Sequence, residues 1–262
     1  TAIAALTLFF VTPSLAGQST WLNVSPLKSP SPRRDHMMAY DSNRGVVVMF
    51  GGQSRTARMS DTWEWDGYLW NQKTPSTAPP ARSAGAMVYD EKRKKIVLFG
   101  GAGQTTFADT WEWDGAVWSR KSPTNNPTGR YSHAMSYDSH REVVVMFGGS
   151  PNKFDTWEWN GSTWTDMKLA STASPIARSS HALAYGAARK RTVLFGGRYS
   201  TNQTLYDTWQ WDGKAWTKGS PTLWPRAPWD MTMSYDSDRQ RVVCFGGRFY
   251  SSDGTNATYE WD

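Results

Sequence analysis

Paired glycines recur along the chain and constrain its fold more than any other feature. Each pair follows an apolar run, and consecutive pairs begin 49, 48, 48 and 50 residues apart. The five pairs are Gly51-Gly52, Gly100-Gly101, Gly148-Gly149, Gly196-Gly197 and Gly246-Gly247. A tryptophan-rich segment follows each of the first four pairs, as in DTWEWDG at 61–67 and 109–115. Self-similarity at a period of about 20 to 50 residues is typical of solenoids, propellers and arrays, which predicts one structural unit in five copies.

One copy carries four short strand signals. In the first copy they are Arg33–Asp41, Gly45–Phe50, Asp61–Trp65 and a last strand around Trp70. Asp66-Gly67 and its equivalents favour a tight primed hairpin turn, in which both central residues have positive φ. The second strand is apolar at nearly every position, so both of its faces are expected to be buried. A four-stranded sheet between two neighbouring sheets is the unit of a β-propeller, so the predicted fold class is an all-β propeller over residues 17–262.

Composition and charge exclude several classes of protein. The 262 residues hold 29 Lys plus Arg against 23 Asp plus Glu, and a net charge of +6 does not by itself support nucleic-acid binding. An aromatic content of 14% is too high for a disordered chain. The single cysteine, Cys244, excludes an internal disulfide framework, a four-cysteine zinc site and a CxxC redox pair.

The first 16 residues resemble the back part of a secretory signal peptide. Ala2–Val11 is apolar and too short to cross a bilayer of about 30 Å, and Ser14-Leu15-Ala16 matches a small-residue cleavage site. The segment has neither an initial Met nor a basic region, so an incomplete signal peptide is expected, the alternative being an apolar tail. The predicted location is secreted or periplasmic, without stable membrane insertion.

The double glycine, the Tyr-Asp before it and the Trp after it resemble the kelch repeat, in a secreted, bacterial-like form. The resemblance covers roughly Gly17–Asp262 and occurs five times in register. It implies a propeller of the kelch and galactose-oxidase central-domain type, whose members have binding or enzymatic roles.

Ring closure leaves two alternatives. The last copy reaches Trp261-Asp262 without a fourth strand, while GQSTWLNVS at 17–25 mirrors GSTWTDMK at 161–168. The N-terminal segment is therefore expected to supply the missing strand of the last sheet, which removes an exposed edge. The alternative is a chain truncated at its C-terminus, because kelch propellers more often have six or seven blades.

Most of the repeated polar and aromatic residues are expected to be structural. The paired tryptophans, such as Trp63 and Trp65, are predicted to form the core between blades instead of a stacking platform. Three histidines, each three residues after an arginine, could bind a metal in principle, but a structural role is favoured: His36, His133 and His181. Cys244 occupies a core position and is not expected to form the cofactor crosslink of the galactose-oxidase branch.

Charged series recur at two places in each copy. Four arginines open the first strands and four aspartates open the third strands: Arg33, Arg82, Arg130, Arg178, Asp61, Asp109, Asp155 and Asp207. Copy five departs from both series, because Arg226 is displaced by two residues and Ala257 replaces the aspartate. The joint loss suggests that each arginine pairs with the aspartate of its own copy. The alternative is that the arginines line a mouth that attracts anions. Basic turns such as Lys92–Lys95 are expected on the opposite face as a solvated rim.

The predicted function is recognition of a protein or glycan ligand by loops on one face. Loops between second and third strands are longest in copies four and five, where aromatic rings lie beside arginines. The candidate ligand-binding residues are Arg198, Tyr199, Tyr206, Trp224, Arg226, Trp229, Arg248, Phe249 and Tyr250. No catalytic residue, metal or cofactor is predicted, nucleic acid is not expected as a partner, and a monomer is expected. The alternative is a carbohydrate-active enzyme of the sialic-acid-processing or galactose-oxidase-like kelch type.

Overall fold

The structure is a computed structural model that describes residues 26, 28–168, 174–200, 203–221, 225, 229–248 and 254–262. Blades 1 and 2 consist of β1 Met37–Asp41, β2 Val46–Phe50, β3 Thr62–Trp65, β4 Trp70–Lys73, β5 Ala86–Asp90, β6 Lys95–Phe99, β7 Thr110–Trp113 and β8 Trp118–Lys121. Blade 3 consists of β9 Ala134–Asp138, β10 Val143–Phe147, β11 Thr156–Trp159 and β12 Trp164–Asp166. Blade 4 consists of β13 Ala182–Gly186, β14 Arg191–Phe195, β17 Thr208–Trp211 and β18 Trp216–Lys218, with a small hairpin of β15 Arg198–Ser200 and β16 Gln203–Thr204. Blade 5 consists of β19 Trp229–Asp236, β20 Arg241–Arg248 and β21 Thr258–Trp261.

The strands of each blade pair antiparallel in chain order. Blades 1 to 4 have four strands each, and three strands of blade 5 lie in the described part of the chain. The first strands of successive blades contact one another, from β1 through β5, β9 and β13 to β19, so they surround a common axis. The predicted all-β propeller of kelch-type blades is confirmed.

The core lies between neighbouring blades. In blade 3, Val144 and Val145 are both fully buried although they point to opposite faces of the sheet. Val144 packs in a cluster with blade 2, while Val145 packs with blade 4. A strand buried on both faces explains why the second strand of each copy is apolar almost throughout.

The hairpin turn between third and fourth strands differs from the sequence-based prediction. Gly67 has φ of +100°, but Asp66 does not have positive φ, so the turn is not of the primed two-residue type. The Asp66 carboxylate instead accepts the backbone N–H groups of Tyr68 and Leu69 at 2.9 and 2.8 Å. Asp66-Gly67 therefore specifies a longer, side-chain-capped turn, which leaves Trp65 paired with Trp70.

Each glycine pair brings two neighbouring backbones into contact. The Gly101 N–H donates to the carbonyl of Arg130 in the next blade at 2.8 Å. A Cβ on Gly100, whose φ is +66°, would lie only 2.5 Å from that carbonyl oxygen. Gly52 and Gly149 donate to the next blade in the same way. The paired glycines are thus required by the approach of the blades.

Some predictions lie outside the described residues. The signal peptide at 1–16 and the closing strand at 17–25 both fall there and stay predictions. Among the residues that are described, no helix has the length and apolarity needed to cross a membrane.

Candidate binding site at the channel mouth

The repeated Arg and Asp residues pair within each of the first four blades. In blade 3, the Arg130 guanidinium donates to both Asp155 carboxylate oxygens at 2.7 Å and to the Gly148 carbonyl at 3.0 Å. Trp157 Nε1 donates to the same carboxylate at 2.7 Å. The equivalent ion pairs are Arg33–Asp61, Arg82–Asp109 and Arg178–Asp207. These arginines hold the base of the loop between second and third strands, so they are not free to bind a ligand.

The Arg130 ion pair controls the charge on Asp155. Burial by itself would raise the pKa of that carboxyl, but the hydrogen bonds from Arg130 and Trp157 lower the pKa below its ordinary value. Asp155 therefore stays ionised and paired at neutral pH.

The tryptophans of the third and fourth strands are core residues with specific partners in the preceding blade. Trp113 Nε1 donates to Glu64 at 3.0 Å, and Trp118 Nε1 donates to the Thr62 hydroxyl at 2.9 Å. Trp164 and Trp216 donate to threonines of the preceding blade in the same way. These indoles are buried between sheets and cannot stack on a ligand.

Two of the three repeated histidines are buried between blades. The His181 ring contacts Phe147 of the preceding blade edge-on, with centroids 5.6 Å apart, and His133 contacts Phe99 similarly at 5.7 Å. Burial, followed by the charge of Arg178, lowers the pKa of His181 to about 3. The residues that the structure describes contain no cluster of three groups able to hold a metal ion.

The buried His181 predicts a loss of stability on mild acidification. The unfolded chain binds a proton at His181 near pH 6.5, whereas the folded chain does not until about pH 3, so stability falls as the pH falls through that window. Replacing His181 by Met, the residue at the equivalent position 231 of blade 5, is expected to reduce the slope between pH 6.5 and 4.5 by about 1 kcal/mol per pH unit. Urea unfolding measured across this range tests it, with exposed His140→Gln as the control. An unchanged slope in His181→Met would contradict the assignment.

The face opposite the glycine pairs carries basic turns in which several charges are already neutralised by nearby carboxylates. Arg93 pairs with Asp90 at 2.7 Å, and Lys92 pairs with Glu142 of the next blade at 3.0 Å. Arg141 contacts Asp138 and a second carboxylate, at 2.7 and 2.6 Å. The turns of blades 2 and 3 therefore act as a solvated rim that is largely self-paired.

A collar of five residues surrounds the channel on the glycine-pair face. All five have positive φ and lie just before a first strand: Asp35, Ala84, Ser132, Ser180 and Asp230. From the second member onward, each backbone N–H donates to the carbonyl of the member before it, at 2.7 to 3.1 Å. This hydrogen-bonded collar fixes the rim from which the loops project.

Two adjoining cavities lie at this mouth. The larger has a volume of about 520 Å³ and the smaller about 300 Å³. They share Tyr131, Ser132, Ser180 and Arg198, and their lining is mostly hydroxyl, amide and charged groups. Such a site fits a polar ligand better than an apolar one.

Two arginines at the larger cavity carry charges without an acidic partner. Arg58 contacts the Ser83 hydroxyl and the Gly103 carbonyl, at 3.4 and 3.0 Å. The Arg198 guanidinium lies 4.2 Å from the ring centroid of Trp229. Within the part of the chain that is described, neither arginine forms an ion pair, so both are available to an anionic group.

The structure distributes the sequence-predicted site residues unevenly. Arg198 lines both cavities and exposed Tyr199 lines the smaller one. Trp229 is buried and supports Arg198 from below, while Arg248 lies 5.7 Å from the same ring. Tyr206 contacts Thr204 within its own loop. The remaining four fall outside the described residues: Trp224, Arg226, Phe249 and Tyr250.

Sequence reasoning missed several residues of the mouth. Arg58, Gln53 and Tyr131 line the larger cavity, together with the collar residues Asp35 and Asp230. One feature of the sequence could have pointed to this mouth: the residue after each glycine pair differs in chemistry from copy to copy, whereas the glycines do not change. These residues are Gln53, Ala102, Ser150, Arg198 and Arg248. Variation at one position within a constant frame is typical of a surface free for binding.

Comparison with known proteins supports the same architecture. Residues 8–149 match the family model described as the KLHDC2/KLHL20/DRC7 Kelch-repeats domain. A search of curated proteins finds no match.

Proposed function

Because this chain belongs to the family of KLHDC2/KLHL20/DRC7 kelch-repeat domains, we propose that it is an exported recognition module that binds a protein or glycan ligand at the channel mouth. Kelch propellers commonly mediate protein interactions, which supports binding as the general role. The signal-peptide-like segment at 1–16 supports export.

The observation that carries the proposal is the pair of arginines in one polar cavity that form no ion pair with a described residue. The two aspartates of that cavity, Asp35 and Asp230, approach Arg34 and Arg248 instead, at 3.8 and 3.9 Å. Four other arginines of this face are neutralised by aspartates, whereas Arg58 and Arg198 are not neutralised by any described residue. A guanidinium offers a planar fork of donors that matches a carboxylate. Stacking on Trp229 restrains Arg198 before a ligand arrives, which reduces the entropy lost on binding. The ligand group recognised here is therefore anionic.

Neighbouring residues suit the rest of such a ligand. Tyr199 is exposed beside Arg198, and Tyr131 lines both cavities. Tyrosine rings offer flat contact area at low entropic cost and suit either a sugar face or a peptide. Hydroxyls of Ser132 and Ser180 line the same space and can exchange hydrogen bonds with it.

An array of acidic and neutral peptides and of acidic and neutral glycans tests the proposal. Anionic members are expected to bind preferentially, and their binding is expected to weaken as the salt concentration rises. Arg198→Gln should lower the affinity about tenfold, or about 1.4 kcal/mol. Exposed Arg189→Gln, on the opposite face, is the matched control and should leave binding unchanged. Equal binding of neutral and acidic members would contradict the proposal.

A further inference from the structure

The turn between the first and second strands of blade 3 is neutralised by two carboxylates. Arg141 Nε donates to Asp138 at 2.7 Å, and a terminal nitrogen of the same guanidinium donates to Glu158 at 2.6 Å. Arg44 of blade 1 makes the same two contacts, both at 2.6 Å. In these two blades, an aspartate that ends the first strand and a glutamate of the third strand hold the arginine of the turn.

A tryptophan of the next blade shares the glutamate. Trp211 Nε1 of blade 4 donates at 2.8 Å to Oε1 of Glu158, the same oxygen that accepts from Arg141. The seam between blades 1 and 2 repeats this arrangement at Oε1 of Glu64. One carboxylate oxygen therefore satisfies both a guanidinium and a buried indole N–H.

Blade 4 keeps the arginine but has neither carboxylate. Gly186 occupies the position of the aspartate and Gln210 the position of the glutamate, although each of the other four blades has both acids. Arg141 and Arg239 each contact two carboxylates, whereas exposed Arg189 forms no hydrogen bond or ion pair with a described residue. The turn of blade 4 therefore carries an uncompensated cation.

Trp261 of blade 5 is left without the acceptor that Trp211 has. Its Nε1 is buried and has no hydrogen-bond partner among the described residues. A narrow cavity of about 10 Å³ is lined by Trp261, Arg189 and Gln210, and this volume is close to what one water-sized group needs. Asp262 also lines the cavity but forms no ion pair with a described cation. The two donors that share a glutamate oxygen one seam earlier thus line a space that fits one oxygen.

We propose that blade 4 binds an external oxyanion, a carboxylate or phosphate group, where the other blades have the glutamate carboxylate. One oxygen of the anion accepts the Trp261 indole N–H and a guanidinium N–H of Arg189, as Glu158 does for the equivalent pair. The Gln210 amide can donate to a second oxygen, and Arg191 at the same cavity adds positive charge. An oxyanion fits better than a neutral acceptor, because it also compensates the guanidinium charge.

The site lies on the face opposite the mouth and does not depend on the binding proposed there. A single anion held by one guanidinium and one indole is expected to bind at millimolar concentrations, so it does not compete with tighter ligands of the mouth. The Arg58→Gln/Arg198→Gln double variant should therefore leave binding at blade 4 unchanged.

NMR spectroscopy of the indole N–H groups tests the proposal. Sodium phosphate is titrated into the protein at constant ionic strength, with sodium acetate as a second probe. The Trp261 indole resonance, assigned with Trp261→Phe, is expected to shift and to saturate, and Arg189→Gln should lower the affinity at least about tenfold. A Trp261 resonance that does not respond to either probe would overturn the proposal, as would unchanged affinity in Arg189→Gln.

A second buried indole provides the internal control. Trp159 Nε1 also has no partner among the described residues, but Arg93 of the preceding blade is already bound to Asp90 and to the Glu142 carbonyl. The Trp159 resonance is therefore expected not to respond to phosphate. An equal response of Trp159 and Trp261 would show a general salt effect and overturn the proposal.

Restoring the two acids gives an independent test. A Cβ on Gly186 would meet no atom closer than 3.6 Å, and the residue does not have positive φ, so an aspartate fits there. Gly186→Asp/Gln210→Glu is expected to fill the site with the chain's own carboxylates and to lower the phosphate affinity at least about tenfold. Gln210→Glu alone, which leaves the first strand unchanged, should have the same effect in smaller measure. Phosphate binding that persists unchanged in both variants would overturn the proposal.

Short peptides distinguish the two sources of such an anion. The probes are acetyl-Gly-Glu-Gly-amide and its Gln counterpart, compared with acetate in the same titration. Binding of the Glu peptide about tenfold tighter than acetate would support the proposal with an acidic side chain of a partner protein as the ligand. Equal binding of the Glu peptide and acetate would support it with a free anion as the ligand. Equal binding of the Glu and Gln peptides would overturn it.

Discussion

Replacing Gly100 by alanine is expected to destabilise the propeller by about 3 kcal/mol or more. The residue has φ of +66°, and the new Cβ would lie 2.5 Å from the carbonyl oxygen of Arg130 and 3.0 Å from His133. A backbone carbonyl cannot move aside without opening the seam between blades 2 and 3. Chemical unfolding of the variant measures the loss as a lower midpoint at an unchanged slope.

Gly45→Ala is the matched control for this prediction. Gly45 has nearly the same φ, +69°, but a Cβ there meets no atom within 4 Å. Glu142 already holds the equivalent position in blade 3 with positive φ. The control is expected to lose about 1 kcal/mol or less. Similar losses in Gly45→Ala and Gly100→Ala would show that backbone conformation alone requires glycine at position 100.

Replacing Arg130 by methionine is expected to cost about 3 to 5 kcal/mol. The arginine side chain is fully buried and bonds both the Asp155 carboxylate and the Gly148 carbonyl. Without it, a partly buried carboxylate retains only the indole N–H of Trp157 as a side-chain partner among the described residues, and the buried Gly148 carbonyl loses its guanidinium donor. Thermal and urea unfolding of the variant provide the measurement.

An exposed arginine gives the comparison for Arg130. The Arg34 side chain is 77% exposed and approaches Asp35 only to 3.8 Å. Arg34→Met is therefore expected to change stability by less than about 1 kcal/mol. If Arg130→Met costs no more than Arg34→Met, the repeated ion pairs do not hold the loop bases.

The repetition made most of the fold predictable. Five glycine pairs in register define the blade, and the apolar second strand shows that each blade is covered on both sides. The pairing of Arg and Asp was also visible, because copy five departs from both patterns, with Ala257 in place of the aspartate. Internal comparison of five copies supplies information that a single copy does not contain.

The turn after the third strand was predicted with the wrong geometry. Asp-Gly is compatible both with a primed two-residue turn and with a turn capped by the aspartate side chain. The choice shows in the alignment of Trp65 opposite Trp70, which leaves four residues in the turn. A dipeptide signal carries no information about that alignment.

The candidate site was only partly predictable for a similar reason. Arg198 and Tyr199 could be proposed from loop length and composition, and both lie at the mouth cavities. Arg58 lies in an earlier copy, and only the ring arrangement brings it to the same cavity as Arg198. Conversely, Trp229 looks like a ligand platform in the sequence but is buried beneath Arg198. Whether a side chain is exposed, and whether it points toward the axis of the ring, depends on the tertiary structure and cannot be read from one copy of the repeat.

The most direct measurement of the central claim compares the two faces of the propeller with one anionic ligand selected from the array. Wild-type protein, an Arg58→Gln/Arg198→Gln double variant and a Lys92→Gln/Lys94→Gln double variant are titrated with that ligand. Binding is expected to fall at least about tenfold in the mouth variant and to stay unchanged in the variant of the opposite rim. Retained affinity in the mouth variant, with loss in the rim variant, would contradict the account and assign binding to the basic turns.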